Sequence, residues 1–330
     1  MNCTKWNNPE NYKRVTTELL PKETVLPKTS IFALRKKDQL KHYYVQPCET
    51  TIEMLHERLD TIDIAIVETI ATVKQVTLPQ LYAYITLKSF DVTLTDFSER
   101  INTLLIYRVI QANDIVHSHE DNGLRYYELD YFGYQLALAN GLPFHAGNRY
   151  ISYSNRKANG LLLDTACDVK RILVGNQIIL NLLINQAPMK RFGIMETFRC
   201  TDVLYGENHC LVRTTANVCI DDTSMLAYDV VRDTPTAYEN LKDKIVRYYS
   251  LIHNKAYLES NYYNFTSYPQ LVICGESLEH NIKIADYLRA NGLWSKDDTI
   301  LFTEDLLNMN HSLVSIYALE DDNSQTWYSI

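Results

Sequence analysis

No stretch of this 330-residue chain approaches the ~20 consecutive apolar residues that cross a bilayer, and Met1–Leu20 lacks the apolar core of a secretory leader. A soluble, cytoplasmic protein that makes no membrane contact is expected. Cysteine occurs seven times, at positions 3, 48, 167, 200, 210, 219 and 274. It is never a CxxC pair and its count is odd, which excludes a zinc ribbon and a disulfide framework. Cys200, Cys210 and Cys219 fall in β-like runs, where a buried, inert thiol is the expectation. Glycine is sparse, and Gly147, Gly160 and Gly175 stand alone, so neither a phosphate loop nor a dinucleotide fingerprint is written here. The GxSxG elbow of serine hydrolases is missing too. Positive charge is short: 32 Lys and Arg face 40 Asp and Glu, a net charge of −8, and any nucleic-acid reading must explain how such a chain approaches phosphate. Internal repeats and low-complexity tracts are also lacking.

What remains is globular composition, 46% hydrophobic and 22% charged. The length is about twice the ~150 residues of a typical domain, so two folded units with a short arm are expected. Charge is uneven along the chain. Residues 1–50 hold nine Lys/Arg against five Asp/Glu, residues 51–150 seven against thirteen, and residues 151–330 sixteen against twenty-two. The net positive part is an N-terminal arm over 1–50, densest at Arg35, Lys36, Lys37 and Lys41. Tyrosine is frequent, at 24, and its apolar ring with a polar tip suits cores and contact surfaces alike.

Residues 51–143 read as one compact unit. Glu53–Val73 has the period of an amphipathic helix, with Leu55, Leu59, Ile62, Ile66 and Ile70 in a stripe. Thr77 caps a second helix, which tolerates Pro79 in its first turn and buries Leu78, Leu81, Tyr82 and Ile85. A capping-box-like Thr93-Leu-Thr-Asp96 opens a third, burying Phe97, Ile101, Leu104 and Leu105. Ile106–Gln111 and Ile115–His117 then turn β-like, Asp121-Asn122-Gly123 gives a turn signal, and Leu124–Leu129 completes a hairpin. Tyr131–Ala139 returns to helix, ended by Gly141 and Pro143. Helix, helix, helix, hairpin, helix is the order of a winged helix-turn-helix domain.

Residues 144–165 read as a polar linker, and residues 166–330 as a second unit. There Cys167–Leu183 is helical, and Arg191–Phe198, Leu211–Ile220 and Met225–Val231 are β-like. A helix from about Pro235 buries Leu241, Ile245, Tyr248 and Ile252. A strand Gln270–Cys274, a helix Leu278–Ala290 stopped by Asn291-Gly292, and a strand Thr299–Phe302 complete it. The fold class is α/β in the α+β sense, and the order α-β-β-β-α-β is shared by the restriction-endonuclease-like nuclease fold.

Two segments carry a resemblance. Ile101–Leu105, the hairpin, and Tyr126-Tyr127-Glu128-Leu129 followed by Gly133 form the first; Ala227-Tyr228-Asp229-Val230-Val231-Arg232-Asp233-Thr234 followed by Lys244-Ile245-Val246-Arg247-Tyr248 form the second. Over roughly residues 55–305 the chain resembles the replication-relaxation family of Gram-positive plasmids and mobile elements, in which a winged helix precedes a nuclease-like domain. The first segment is similar to that family's wing ending, the second to its Glu-x-Asp-Arg-Gly-Thr-like segment and Lys-Leu-x-x-Tyr helix. The resemblance implies a DNA-binding accessory or regulatory protein in replication, relaxation or transfer. Double-stranded DNA and a protein of the replication or transfer complex are its implied partners, with an oligomer admissible.

A nuclease of this fold holds Mg²⁺ between a carboxylate on its second strand and a Glu/Asp-x-Lys on its third. Asp229 fits the acidic place, but the lysine position is Val231, and the region for the other acid reads Thr214-Thr215-Ala216. A degenerate site without a catalytic residue, metal or cofactor is expected; Asp221, Asp222 and Asp233 are alternative ligands, though adjacent turn aspartates read as solvated turn residues. On the third helix the outward positions are Thr95, Asp96, Ser98, Glu99, Arg100 and Asn102, and two acids among six repel phosphate. Arg100, Arg108 and Arg125 are the candidate DNA contacts of the domain, beside Arg35, Lys36, Lys37 and Lys41 of the arm. His117-x-His119-Glu120 has strand spacing for a metal, yet without a third ligand it reads as surface histidines near a turn. Two further readings stay open: a protein–protein adaptor with an acidic winged helix, and an active Mg²⁺-dependent nuclease.

Overall fold

The computed structural model describes residues 30–35, 37–117, 123–142, 165–195, 197–201, 209–221, 224–252, 269–294, 300–312 and 315–328. No helix among them is long and apolar enough to cross a membrane. The architecture is mixed α/β in two units; among the described residues the first holds 34–176 and the second 30–33 and 177–328. The division falls inside a helix, after Asn176. Most of the expected linker, 144–164, lies outside the described residues, as does the arm up to residue 29.

Unit 1 runs through β1 (Gln39–Tyr43), α1 (Ile52–Arg58), α2 (Thr61–Val73), α3 (Leu78–Leu87), α4 (Leu94–Ile106), β2 (Ile110–Val116), β3 (Leu124–Leu129), α5 (Tyr131–Ala139) and the start of α6 (Ala166–Ile184). The single helix expected over Glu53–Val73 is two. Leu59 turns extended, and Asp60 caps α2 by accepting from the amides of Ile62 and Asp63 while Asp63 accepts from the amide of Asp60. Leu55 and Ile66 are both fully buried, so the apolar period runs straight through the break. Thr77 and Thr93 cap α3 and α4, and α4 buries Phe97, Ile101, Leu104 and Leu105 as the period requires. α3 is buried nearly all round because Gln80 donates to the Leu173 carbonyl and Tyr84 to Asn176, both on α6. Leu78 is only half-buried.

The three strands of this unit form an antiparallel sheet in the order β1-β2-β3. β1 comes from the segment read as the basic N-terminal arm, and its register sets Lys41, Asp114 and Arg125 side by side across the sheet. β2 begins only at Ile110, because α4 continues to Ile106. The hairpin tip, residues 118–122, lies outside the described residues. α5 comes so close to the start of β2 that a β-carbon on Gly133 would stand 2.0 Å from the Val109 carbonyl oxygen. Just past the far end of α5, Gly141 adopts φ +61°, and a β-carbon there would meet nothing among the described residues.

Unit 2 holds the rest of α6, β4 (Arg191–Ile194), β5 (Thr197–Thr201), β6 (His209–Arg213), β7 (Ala216–Cys219), β8 (Met225–Val230), α7 (Pro235–Ile252), β9 (Pro269–Gly275), α8 (Leu278–Ala290), β10 (Leu301–Glu304), α9 (Asp305–Met309), β11 (Ile316–Leu319) and β12 (Gln325–Tyr328). Seven strands line up as β12-β11-β10-β9-β8-β7-β4, with β8, β9 and β10 parallel and the remaining pairs antiparallel. The three expected β-runs become five strands. Arg191–Phe198 breaks at Met195, whose φ is +52°, and Leu211–Ile220 breaks at Thr214-Thr215; each gives one strand to the main sheet and one to a separate β5–β6 hairpin. α9, β11 and β12 lie beyond or outside the elements read from the sequence.

β8 is buried along its whole length. α7 and α8 make the parallel crossovers and pack Leu241, Ile245, Ile284 and Leu288 with Leu271, Ile273 and Phe302 of the sheet. Because each crossover helix starts where a parallel strand ends, the first turns of α7 and α8 come to the same edge as the carboxyl ends of β8 and β9, the edge at which open α/β sheets gather polar groups.

Candidate functional site

In unit 1 the three arginines read as DNA contacts are each paired with a carboxylate of the same unit. Arg100 holds Asp60 at 2.8 Å and Asp63 at 3.1 Å. Arg108 lies 3.2 Å from Asp130, and Arg125 grips Asp114 with Nε at 2.8 Å and Nη2 at 3.1 Å. The Arg125 guanidinium also covers the Tyr43 ring, 3.7 Å from its centroid. Burial pushes the Asp60 carboxyl up, but Arg100 and the helix amides outweigh it and hold the group below the usual range. Asp63 is shifted upward by deeper burial and by the charge of Asp60.

The basic segment is shaped by Asp38, which accepts from the Arg35 amide at 2.9 Å and pairs with the buried Lys170 of α6. His117, one of the metal candidates, lies 3.4 Å from the same carboxylate. Lys37 and Lys41 are exposed and make no ion pair among the described residues; Lys36 lies outside them. The structure thus places Lys41 and Arg125 on one sheet face, with Asp114 between them in register, and puts Arg100 and Arg108 in separate ion pairs. Sequence reading missed a buried polar knot behind this sheet. Glu128 accepts from Gln75, Gln111 and Asn113 at 2.7 to 3.1 Å, and Asn113 continues to His42.

In unit 2, Asp229 is 2% exposed on β8 and faces a basic neighbour, with Lys244 Nζ 2.6 Å from both carboxylate oxygens. Lys244 comes from α7, fifteen residues on, from the helix that folds back over the strand, and position 231 is Val231 as the sequence reads. On β7, next to β8, Asn217 accepts from Thr214 at 2.7 Å, and its own Nδ2 has no partner among the described residues. The alternative acids do not gather there. Asp221 accepts the Ser224 amide in its turn, Asp233 accepts the Tyr238 hydroxyl, and Asp222 lies outside the described residues. Among the described residues no three His, Cys, Asp or Glu side chains converge.

The carboxyl edge of the parallel strands holds a cluster that sequence reading passed over. Arg232 is fully buried and forks onto Asp305 at 2.7 and 2.9 Å, while Ser30 donates to Asp305 and Arg232 reaches the Phe32 carbonyl. Burial and then the charge of Asp305 push the nearby Cys274 thiol well up. Cys219 is buried as its β context implies. On the α7 side, His280 is 3% exposed; its Nδ1 accepts the Glu276 amide and its Nε2 has no partner among the described residues. Burial, reinforced by Arg232 and opposed by Asp233, pushes its pKa down to about 4. The available signal was the pair Arg232-Asp233 just past the end of a largely apolar strand, since a charge beside a buried strand must find a partner. Comparison of the chain with known protein families, with curated proteins and with solved structures finds no match.

Proposed function

We propose that the chain is a non-catalytic DNA-binding accessory or regulatory protein of a plasmid or other mobile element, acting in replication, relaxation or transfer. One observation carries the reading. α2, α3 and α4 are followed directly by the β2–β3 hairpin, and α4 turns Phe97, Ile101, Leu104 and Leu105 inward while its opposite face stays exposed. A winged helix uses this arrangement to set its third helix in the major groove and its hairpin on the phosphates. Support for a nuclease-like scaffold comes from the antiparallel run β4-β7-β8 followed by the parallel crossover through α7 to β9.

The residues at Asp229 do not fit the Mg²⁺ that such a scaffold uses. Mg²⁺ takes an octahedral set of oxygens. Here both oxygens of Asp229 contact an ammonium, and the neighbouring strand presents Asn217, preceded by Thr214 and Thr215, in place of a second carboxylate.

Anisotropy titration of a 30-base-pair duplex at several salt concentrations tests the reading. Binding is expected to weaken steeply with salt, and Lys37→Asn with Lys41→Ala to reduce the log–log slope by about 2. Asn is chosen because Lys37 has φ +79°, a conformation that Asn tolerates. Absence of duplex binding at low salt overturns the proposal. A second reading, an adaptor that engages a protein through the acidic face of α4, is favoured by the in-chain pairing of Arg100, Arg108 and Arg125. It expects no duplex binding at any salt concentration.

A further inference from the structure

An open groove of about 550 Å³ lies between the first turn of α7 and one face of α8, lined by Pro235, Thr236, Tyr238, Glu239, Lys283 and Tyr287. The Tyr238 and Tyr287 rings meet edge to face, their centroids 5.3 Å apart. Each hydroxyl is tied to a carboxylate, Tyr238 to Asp233 at 3.1 Å and Tyr287 to Glu239 at 3.0 Å. The rings are therefore held in place before any ligand arrives, which lowers the ordering cost of binding.

Two carboxylates, Asp233 and Glu239, are bonded to the ring hydroxyls, and among the described residues that line the groove one ammonium, that of Lys283, faces them. Lys283 spans the rim loosely, 3.8 Å from Asp233 and 3.4 Å from Glu279, and is 54% exposed. Aromatic faces attract cations through their quadrupole, and the surplus of carboxylates adds to that attraction while repelling phosphate. We propose that this groove receives a cationic side chain, a guanidinium or ammonium, from a basic segment of a partner protein. A guanidinium suits it better, because its flat fork stacks on a tyrosine face while donating to two carboxylate oxygens. The site is independent of the DNA reading and lies on the unit that reading leaves without chemistry.

The test titrates N-acetyl-arginine amide into the full chain and follows the Tyr238 and Tyr287 ring signals by NMR, assigned with Tyr→Phe variants. N-acetyl-citrulline amide, which keeps the shape without the charge, and adenosine monophosphate are the comparison probes. Saturable shifts with the arginine probe are expected, at least about fivefold weaker with citrulline. Glu239 and Lys283 are exposed, so their variants keep the fold. Glu239→Gln should weaken the arginine probe, and Lys283→Ala should tighten it, each by about threefold. An adenosine monophosphate response that disappears in Lys283→Ala makes the groove an anion site and overturns the proposal. So does equal binding of citrulline, or no saturable shift with arginine.

Discussion

Arginine–carboxylate pairs recur in both units, and their surroundings make them different devices. In unit 1 the Arg100, Arg108 and Arg125 side chains keep 29%, 42% and 40% exposure, whereas in unit 2 both Arg232 and Asp305 keep none. An exposed pair contributes roughly 0.2–1 kcal/mol, so its partner is exchangeable, and a phosphate is a chemically adequate substitute for an aspartate. A fully buried pair is the opposite case: its net worth over an apolar pair is small, yet each member is intolerable without the other. The same residue types thus give unit 1 exchangeable surface contacts and unit 2 a fixed internal tie.

The contrast is broken most directly at Arg232. Arg232→Ala should cost about 3–5 kcal/mol, read by guanidinium denaturation followed by the fluorescence of Trp294 and Trp327, both in unit 2. The pair Arg232→Met with Asp305→Leu should recover most of that loss. A single variant that loses less than about 1 kcal/mol would falsify the distinction.

A smaller effect comes from His280. Its folded pKa of about 4 lies below the ordinary 6.5, so between those values the unfolded chain binds the extra proton. Stability is therefore full above pH 6.5 and falls as the pH drops toward 4, by at most about 3 kcal/mol. His280→Gln should flatten that segment of the stability–pH curve, and an unchanged slope would assign the acid sensitivity to other groups.

The smallest change sharpens the comparison at the surface. Asn is as good a helix cap as Asp, so Asp60→Asn keeps the start of α2 while removing one charge from Arg100. Stability should move by less than about 1 kcal/mol. Duplex affinity should rise about threefold and the salt slope steepen by up to about 1. Unchanged affinity places Arg100 away from any phosphate and favours the adaptor.

Local signals in the sequence foretold much of the fold. Thr77, Thr93 and Gly141 mark helix ends because a cap is a bond between a residue and its near neighbours, and both residues are visible in the same few letters. Breaks inside apolar runs were not legible in the same way. At Leu59 the hydrophobic stripe persists on both sides of the interruption, and at Met195 the chain leaves one sheet for another, a change decided by which strands lie alongside. The sites fared alike. Asp229 was visible as an acid on a strand, but its partner Lys244 depends on α7 folding back, and Arg232 meets Asp305 across 73 residues. Spacing carries no record of such meetings.

Gly133 in the first turn of α5 and Gly141 just past its last look interchangeable in the sequence, yet mutation would treat them as opposites. With the Val109 oxygen 2.0 Å from where its β-carbon would be, position 133 has an alphabet of one letter, set by volume. At position 141 a β-carbon would meet nothing among the described residues, and φ is +61°, so its alphabet is set by backbone angle and admits asparagine and aspartate at small cost. In a library of variants the first glycine would be invariant and the second would drift, so that tolerance alone would reveal which end of α5 is pressed against the sheet.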